Sequence, residues 1–257
     1  MSKQEHLQVS PEEVGRYVLL PGDPARCDKI AAHFDDPVQV AYNREFKTIT
    51  GSLLDEKVSV VSTGVGNPSA AIAIEELHRC GVTTYIRVGT SGGMQPETLP
   101  GDLAIIKGSI RDEGTTKHYL PVEFPAVAHL DVVLALREAA QALDYRYHVG
   151  ISHSKDSYFG QVEPERMPVS VYLQERWKAW VMGGAICAEM ESATLMTLGA
   201  IYGLRTGSIA LIAINNEWPE WGVITDVEPM IATAILAIKN LIRHDRKIGK
   251  DNLDASS

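Results

Sequence analysis

Short runs of β-branched and apolar residues alternate along the chain with amphipathic stretches. The short runs predict strands, and the amphipathic stretches predict helices. The predicted strands are 16–20, 57–66, the first half of 83–93, 101–111, 146–154 and 205–215; the predicted helices are 67–81, 130–143 and 225–244; and a strand leads into a helix over 186–203. Asn67 is the predicted N-cap of the first helix, Pro68 suits its first turn and Gly81 its end.

Strands that alternate with helices predict an α/β fold in which a mixed, mostly parallel sheet carries helices on both faces. The chain contains no internal repeat, low-complexity tract or linker-like segment, so we predict one domain over 1–245 and a polar, frayed tail over 246–257. Ligands of such sheets bind at the carboxyl ends of strands. The candidate loops there are "PGDPAR", "STGVGNPS", "VGTSGGMQ" and "INNEW".

Composition narrows the class of protein. The 257 residues are 45% hydrophobic and 22% charged, which is typical of globular proteins, and the net charge of −9 disfavours a nucleic-acid partner. Three widely spaced cysteines fit neither a disulfide framework nor a zinc site. The N-terminus lacks the apolar core of a signal peptide, and no apolar run reaches the ~18 residues of a membrane span. We therefore expect a soluble cytoplasmic protein with no membrane partner.

Arg87 stands between Ile86 and Val88 in a buried strand, and no acidic residue lies nearby in sequence. A buried arginine needs a partner, which is either a distant acid or an anion that is not protein. Gly22 and Arg26 follow the first strand, while Gly89 and Thr90 follow Arg87 in what reads as a glycine-rich turn. Two arginines and two glycine turns at strand ends suggest a bound phosphate. For either loop alone, ordinary turn glycines and an ion pair with a remote glutamate are the simpler explanation.

The segment "AEMES" places Glu189 and Glu191 on either side of Met190. In extended backbone both carboxylates face the same way and can accept hydrogen bonds from sugar hydroxyls. The alternative is a pair of acids at a helix N-terminus, favoured there by the helix dipole. The histidines lack metal-binding spacing, and neither a complete nucleotide-binding motif nor an activated nucleophile is present.

Several segments together carry a family resemblance. In order, they are "LPGDPARCDKIA", "NREF", "STGVGNPSAAIAIEEL", "IRVGTSGGMQ", "RDEGTTKHYLPVEFPAVA", "KDSYFGQ" and "AEMESATL", between about His6 and Asn215. The chain resembles the hexameric branch of the nucleoside phosphorylases. The combination of "RxxGTxxHYxPxEFPA" with "EMESAT" is more similar to the uridine phosphorylases than to the purine enzymes of that branch.

The resemblance implies roles for particular residues. The implied phosphate site is Gly22, Arg26, Arg87 and Thr90, with Arg44 from a neighbouring subunit. The implied ribose contacts are Glu189, Met190 and Glu191, with His6 of the neighbour near the 5′-hydroxyl. The implied base contacts are Ser91, Gly92, Tyr158, Gln161, Arg166 and Asn216. Glu45 and Ser69 match positions that hold a structural monovalent cation such as potassium between subunits, and no other cofactor is implied.

Two positions depart from the family pattern. An arginine usually follows the base-reading glutamine by two residues, but Glu163 stands there and Arg166 is the nearest arginine. Asn216 replaces an arginine of the uridine enzymes and an aspartate of the purine enzymes. The resemblance therefore supports phosphorolysis better than it supports a particular base.

The reaction implied by the resemblance is reversible phosphorolysis of a nucleoside, foremost uridine, to ribose 1-phosphate and free base. In this reaction Arg87, Glu191 and Gln161 are the catalytic residues. Three alternatives stay open: a purine or broad-specificity phosphorylase, a nucleosidase of the same fold, and a non-catalytic binding protein. The arginines count against the nucleosidase, because water as the attacking group needs no phosphate site. The expected assembly is a homo-oligomer with shared sites, either a dimer or a hexamer.

Overall fold

The computed structural model describes residues 3–254, and the side chains of residues 3–248. The strands are β1 (Tyr17–Leu20), β2 (Asp35–Asn43), β3 (Phe46–Leu53), β4 (Glu56–Val61), β5 (Thr84–Gly93), β6 (Leu103–Asp112), β7 (Ala126–Val127), β8 (Tyr147–Lys155), β9 (Ala185–Glu189) and β10 (Arg205–Ile214). The helices are α1 (Pro24–Ala31), α2 (Asn67–Arg79), α3 (Leu130–Ala142), α4 (Tyr158–Val162), α5 (Ser170–Met182), α6 (Ser192–Tyr202) and α7 (Glu228–Asp254). Within residues 3–254, none of these helices combines the length and apolar character needed to cross a membrane.

All ten strands join one mixed sheet, which confirms the predicted α/β class. The order is β10-β6-β8-β9-β5-β1-β4-β3-β2, with β7 beside β6. Strand β5 also pairs with β10, so β5, β10, β6, β8 and β9 close into a ring. Parallel and antiparallel pairings are equally frequent in the described part of the chain, with five of each.

Helices cover both faces of the sheet. The side chains of β1 show this, because they alternate between two core clusters. Tyr17 and Leu19 belong to a core cluster with α1, α3 and α7, while Val18 and Leu20 belong to a second cluster with α2 and α6. Successive strand side chains point to opposite faces, so one short buried strand contributes to both cores. Helix α5 packs separately, through Trp177 and Trp180, on a small third cluster.

The predicted glycine turn after Arg87 is wrong. Strand β5 continues to Gly93, because β10 pairs with it in register from Arg205↔Thr84 to Ile214↔Gly92. The partner strand satisfies the backbone groups that glycine composition alone assigned to a turn. Gly89 and Thr90 therefore lie within a strand near its carboxyl end, and not in a loop.

Two helix starts also differ from prediction. "PGDPAR" is not a loop throughout, because α1 begins at Pro24 with the Asp23 carboxylate accepting from the Ala25 N–H at 2.9 Å. The N-cap of α2 is Gly66, and Asn67 is the first helical residue. The Asn67 side chain instead accepts a hydrogen bond from Thr194 Oγ1 at 2.8 Å, which ties α2 to α6.

The last helix is anchored to the sheet by a charged contact. Both guanidinium Nη atoms of Arg205, on β10, donate to the Asp245 carboxylate of α7 at 2.6 and 2.7 Å, and the Tyr17 hydroxyl donates to it as well. Burial alone would raise the pKa of Asp245, but the bonds from Arg205 and Tyr17 outweigh it and the pKa lies below its ordinary value. Helix α7 continues to Asp254 and not only to 244, and the last three residues of the predicted tail, 255–257, lie outside the described residues.

Candidate active site

Arg87 lies on β5 with its side chain 8% exposed, so its guanidinium is withdrawn from water. Its Nη2 donates to Glu191 Oε2 at 2.5 Å, and its Nη1 donates to the Leu20 carbonyl at 3.0 Å. The partner is thus a remote acid, 104 residues away in sequence. The Arg87 Nε is buried and has no hydrogen-bond partner in the described part of the structure. A guanidinium has five N–H donors, so this one retains capacity for a further acceptor.

Glycine leaves room for that guanidinium. A Cβ on residue 22 would lie 3.3 Å from Arg87 Nη2 and 3.0 Å from the Gly64 carbonyl oxygen. A Cβ on residue 89 would lie 3.5 Å from the same Nη2. A side chain at residue 22 would be in tight contact with its neighbours, and one at residue 89 would fill space beside the guanidinium. Gly22, which follows β1, and Gly89 of β5 therefore both lie beside the Arg87 guanidinium.

Glu191 is the acid at the centre of the site, with 4% of its surface exposed. Its Oε1 accepts from the Gly66 N–H at 2.7 Å, and its Oε2 accepts from Arg87. Gly66 adopts a φ of 98°, a region open to glycine, and this conformation starts α2 beside the carboxylate. The loop after β4 thereby contributes a backbone donor to the same acid that β5 binds through Arg87.

Glu189, at the end of β9, has different partners. Its Oε2 accepts from the N–H groups of Glu191 and Ser192 at 2.8 and 2.7 Å, and its Oε1 accepts from Ser152 Oγ at 3.0 Å. This carboxylate stabilises the start of α6, as an acid at a helix N-terminus does. Glu189 is thus an acid at a helix N-terminus, which was one of the two alternatives drawn from the sequence. Its hydrogen bonds fix the backbone that carries Glu191.

Arg26 adds a second positive charge close to Arg87. It lies in the first turn of α1, and its Nη1 donates to the Val88 carbonyl at 3.1 Å. Burial and the neighbouring Arg87 charge both lower the pKa of Arg26 from its ordinary value. Two guanidinium groups thus share a buried region in which Glu191 is the acid bound to Arg87, and like charges brought together favour a bound anion.

Lys155 is a buried cation of the site that sequence reasoning missed. It ends β8, beside the Ser154↔Glu189 pair of β8 and β9, and is buried. Burial lowers its pKa, while the nearby Glu189 and Glu191 charges oppose that change. Within residues 3–248 its Nζ makes no hydrogen bond. The available signal was a lysine at the end of the predicted strand 146–154, a charged residue next to a strand as Arg87 is a charged residue within one.

His6 and Arg44 lie on one surface, although 38 positions separate them in sequence. The Asn43 side-chain amide donates to the His6 carbonyl at 2.8 Å, and Arg44 follows Asn43 in the β2–β3 turn with a φ of 54°. Arg44 is exposed and forms no hydrogen bond or ion pair with the described residues. The two residues that the resemblance assigns to a neighbouring subunit are thus brought together, and both are distant in sequence from Arg87.

The remaining phosphate and ribose candidates, Thr90 and Met190, and the base candidates Ser91 and Gly92 lie near the carboxyl end of β5 or beside Glu191. Thr90 is exposed and follows Gly89, and Met190 is partly buried between the two glutamates. Ser91 is buried, and its hydroxyl donates to the Leu211 carbonyl at 3.2 Å. Gly92 is partly buried and pairs with Ile214 of β10.

The other base candidates form no hydrogen-bond network comparable to that of Arg87 and Glu191. Gln161 is partly buried on α4, and Tyr158 is exposed, with its ring edge-on to Phe159. Arg166 is 64% exposed and pairs with Glu163 across one turn. Asn216 is exposed after β10. No hydrogen bond joins Gln161, Arg166 and Asn216 to one another within residues 3–248, so their roles stay predictions.

The predicted cation pair is in contact. The Ser69 hydroxyl lies 2.9 Å from Glu45 Oε1 and also donates to the Thr63 carbonyl. Oxygen donors suit a hard cation, but two from one chain are too few for a complete coordination shell. Elsewhere in the described part of the chain, no group of three or more His, Cys, Asp or Glu side chains is placed to hold a metal ion.

Comparison with known proteins identifies what the chain is similar to. A family model described as the phosphorylase superfamily matches residues 16–243. A uridine phosphorylase of Treponema pallidum is 46% identical over 93% of this chain and 95% of that protein. A uridine phosphorylase of Thermococcus kodakarensis is 44% identical over 95% of this chain and 88% of that protein. A guanosine phosphorylase of Halorubrum lacusprofundi is 39% identical over 84% of this chain and 85% of that protein.

Proposed function

The chain belongs to the phosphorylase superfamily, and from this premise we propose that it is a pentosyltransferase that cleaves nucleosides by reversible phosphorolysis. The foremost substrate is uridine, and the products are ribose 1-phosphate and uracil. The observation that carries the proposal is the buried Arg87–Glu191 pair, with Arg26 beside it and Gly22 and Gly66 against it. This group pairs an anion-binding region with an acceptor for sugar hydroxyls.

The charge balance favours phosphate as the co-substrate. Arg26 and Arg87 are two cations, and Glu191 is the acid bound to Arg87. Arg26 forms no ion pair with a described residue, although the charges of Asp23 and Glu191 act on it. An oxyanion can accept from the unpartnered Arg87 Nε and offset the burial and the repulsion from Arg87 that together lower the pKa of Arg26. Thr90 and Gly22 border the same region. A nucleosidase that uses water would have no use for this excess of positive charge.

The mechanism follows from these positions. Phosphate is already a nucleophile, so the protein needs only to hold it below C1′ of the sugar. The bond from C1′ to the base nitrogen breaks and its electron pair leaves with the base, while a phosphate oxygen forms the new bond to C1′. Glu191, assisted by Met190, holds the ribose hydroxyls, and its negative charge stabilises the oxocarbenium-like sugar. Glu189 supports this contact from the start of α6.

Base recognition is assigned to helix α4, which follows β8. Gln161 offers a donor and an acceptor, which match the N3–H and O4 edge of uracil and stabilise the base as it leaves. Tyr158 stacks near the base, Ser91 and Gly92 line its other side, and Arg166 or Asn216 completes the contact. Arg166 must first leave Glu163 for that purpose.

A second candidate function is a purine or broad-specificity phosphorylase. It is favoured by the guanosine phosphorylase among the relatives and by Asn216, which carries neither charge found at this position in the two groups. A non-catalytic binding protein is less well supported, because the arginines and both glutamates are retained together.

We propose a homo-oligomer, at least a dimer and by resemblance a hexamer, in which each site takes Arg44 and His6 from a neighbour. The support is the shared surface that Asn43 creates between these two residues. A monovalent cation such as potassium is proposed at Glu45 and Ser69, where oxygen atoms of the neighbour's copy would complete the shell. A cytoplasmic location and a role in nucleoside salvage fit the reaction, and the three cysteines are free thiols, as in a reducing compartment.

A nucleoside panel tests the proposed function. Uridine, thymidine, cytidine, inosine and adenosine are incubated with the protein and phosphate, and the free base is quantified by chromatography. Uridine is expected to be cleaved fastest. Preferential cleavage of inosine would favour the purine candidate, and release of no base from any of the five would support the binding-protein alternative.

A further inference from the structure

Glu76 is a buried acid on α2 that the reaction outlined above does not use. It is 5% exposed, and its carboxylate faces the N-terminal segment. Oε1 and Oε2 accept from the His6 N–H at 3.0 and 3.1 Å, and Oε2 also accepts from the Leu7 N–H at 2.8 Å. The His6 ring contributes a fourth contact, with Nδ1 2.7 Å from Oε1.

These bonds keep the acid ionised. Burial alone would raise the pKa of Glu76, but the hydrogen bonds from Leu7 and His6 outweigh it and lower the pKa from its ordinary value. A carboxylate only accepts hydrogen bonds, so the His6 nitrogen that faces it must carry a proton. In the neutral ring that proton is on Nδ1 and Nε2 is an acceptor, whereas in the imidazolium Nε2 is a donor as well. In both forms Nε2 is left to bond with another group.

The position of the ring is fixed from other sides as well. The Asn43 amide holds the His6 carbonyl, and the ring lies edge-on to Phe46 with its centroid 6.5 Å away. The His6 side chain is nevertheless 33% exposed. It is a restrained ring with one nitrogen committed to Glu76, on the surface that also carries Arg44.

We infer that Glu76 is a positioning residue that holds His6, so that Nε2 forms a hydrogen bond with the 5′-hydroxyl of a nucleoside in the neighbouring subunit's site. This inference rests on the proposed function and on the shared site. Under this inference Glu76, on α2 of one subunit, affects how well the site of the neighbouring subunit recognises the sugar. The competing explanation is that Glu76 only anchors the N-terminal segment.

The test compares uridine with 5′-deoxyuridine, which lacks the hydroxyl in question. Wild type is expected to prefer uridine by roughly 10-fold or more in kcat/KM, as befits one hydrogen bond in a buried site. Glu76→Gln has one acceptor oxygen for two backbone N–H groups and the ring, so most of that preference should be lost. His6→Ala should lose it too, and adding Glu76→Gln to His6→Ala should cause no further loss of preference.

The matched control is Glu75→Gln, on the same helix, whose carboxylate accepts from the Tyr202 hydroxyl at 2.9 Å and not from His6. This control should keep the preference of the wild type. An anchoring role for Glu76 predicts an equal loss on both substrates, and that result, or an unchanged preference in Glu76→Gln, would overturn the inference. The buried Leu7 and Val9 still hold the segment in this variant. If Glu76→Gln does not fold, Glu76→Asp retains the charge and should show a partial loss confined to uridine, and an equal loss on both substrates would again overturn the inference.

The controls separate failure of the inference from failure of the proposed function. If wild type releases no uracil from either substrate in phosphate, the proposed function fails. If wild type cleaves uridine and 5′-deoxyuridine equally well, phosphorolysis stands but His6 does not read the hydroxyl, and the inference is refuted.

Discussion

Replacing Arg87 by alanine perturbs the centre of the site in two ways. It removes the ion pair with Glu191 and the bond to the Leu20 carbonyl, and it removes the proposed donors to phosphate. Loss of one partner from a buried ion pair costs about 3–5 kcal/mol in the free energy of unfolding, because the other charge is left unpaired. Glu191 would keep the Gly66 N–H as its bonded partner.

The effect on catalysis has a separate magnitude. Hydrogen bonds to charged groups contribute about 1.5–3 kcal/mol each. Loss of the two-pronged contact with phosphate should thus raise the barrier by about 3–5 kcal/mol, or roughly 10²–10⁴ in kcat/KM for phosphate. Arg87→Lys should recover only part of this loss, since an ammonium keeps the charge but not the planar fork.

Arg87→Ala should be less stable than wild type whether Arg87 binds phosphate or only pairs with Glu191. The assay that separates these two roles is thermal unfolding with and without phosphate. At a phosphate concentration 100 times its dissociation constant, binding should stabilise wild type by about 2.7 kcal/mol. Arg87→Ala should gain much less. The control is Arg205→Ala, which also loses an ion pair on the sheet but lies away from the site, and should keep the full gain. Equal gains in wild type and Arg87→Ala would refute the assignment of Arg87 as a phosphate ligand.

Three further predictions address assembly, the base and the fold. Arg44→Ala and Glu191→Ala, each inactive alone, should regain activity when mixed and re-assembled, and a fully active monomer by light scattering would contradict shared sites. Uridine should exceed cytidine by on the order of 10⁴ in kcat/KM if the base edge is fully buried, and Gln161→Ala should remove most of that difference. Asp245→Asn should lower the free energy of unfolding by about 1.5–3 kcal/mol near neutral pH, because Asp245 loses charge-assisted bonds from Arg205. The folded pKa of Asp245 is depressed, so its contribution is present above the unfolded pKa of about 3.9 and is lost as the pH falls through the folded value. Denaturation curves should therefore show a difference in the free energy of unfolding between wild type and Asp245→Asn at pH 7, and the difference should vanish in strong acid. An equal difference at both pH values would contradict a stabilising role for the ionised Asp245.

The local pattern of apolar and polar residues was sufficient to predict the buried strands and the amphipathic helices. Burial of one face imposes a regular spacing of apolar residues, and that spacing is visible in the sequence. The pattern was insufficient for the β2–β3 hairpin and for α5, which it left unassigned. Strand β2 is largely exposed and α5 buries no residue completely, so neither carries a strong apolar period. The extension of β5 to Gly93 depends on pairing with β10, more than 100 residues later, and no local signal encodes that pairing.

The site shows the same division. Arg87 could be singled out because a charge in a buried strand is unusual, and the family motifs led to Glu191. The ion pair between these two residues is a tertiary contact, which the local sequence does not reveal. Lys155 and Glu76 were missed because their importance comes from burial and from contacts made across the fold, with β9 and with the N-terminal segment respectively.

The central claim is that phosphate, and not water, attacks the nucleoside. The most direct measurement follows uridine by ³¹P NMR and chromatography in matched buffers with and without phosphate. The account predicts that uracil appears only with phosphate, in equal amount to ribose 1-phosphate, and that the reaction runs backwards from these products. Equal release of uracil in phosphate-free buffer, with free ribose as the other product, would contradict the account and identify a nucleosidase.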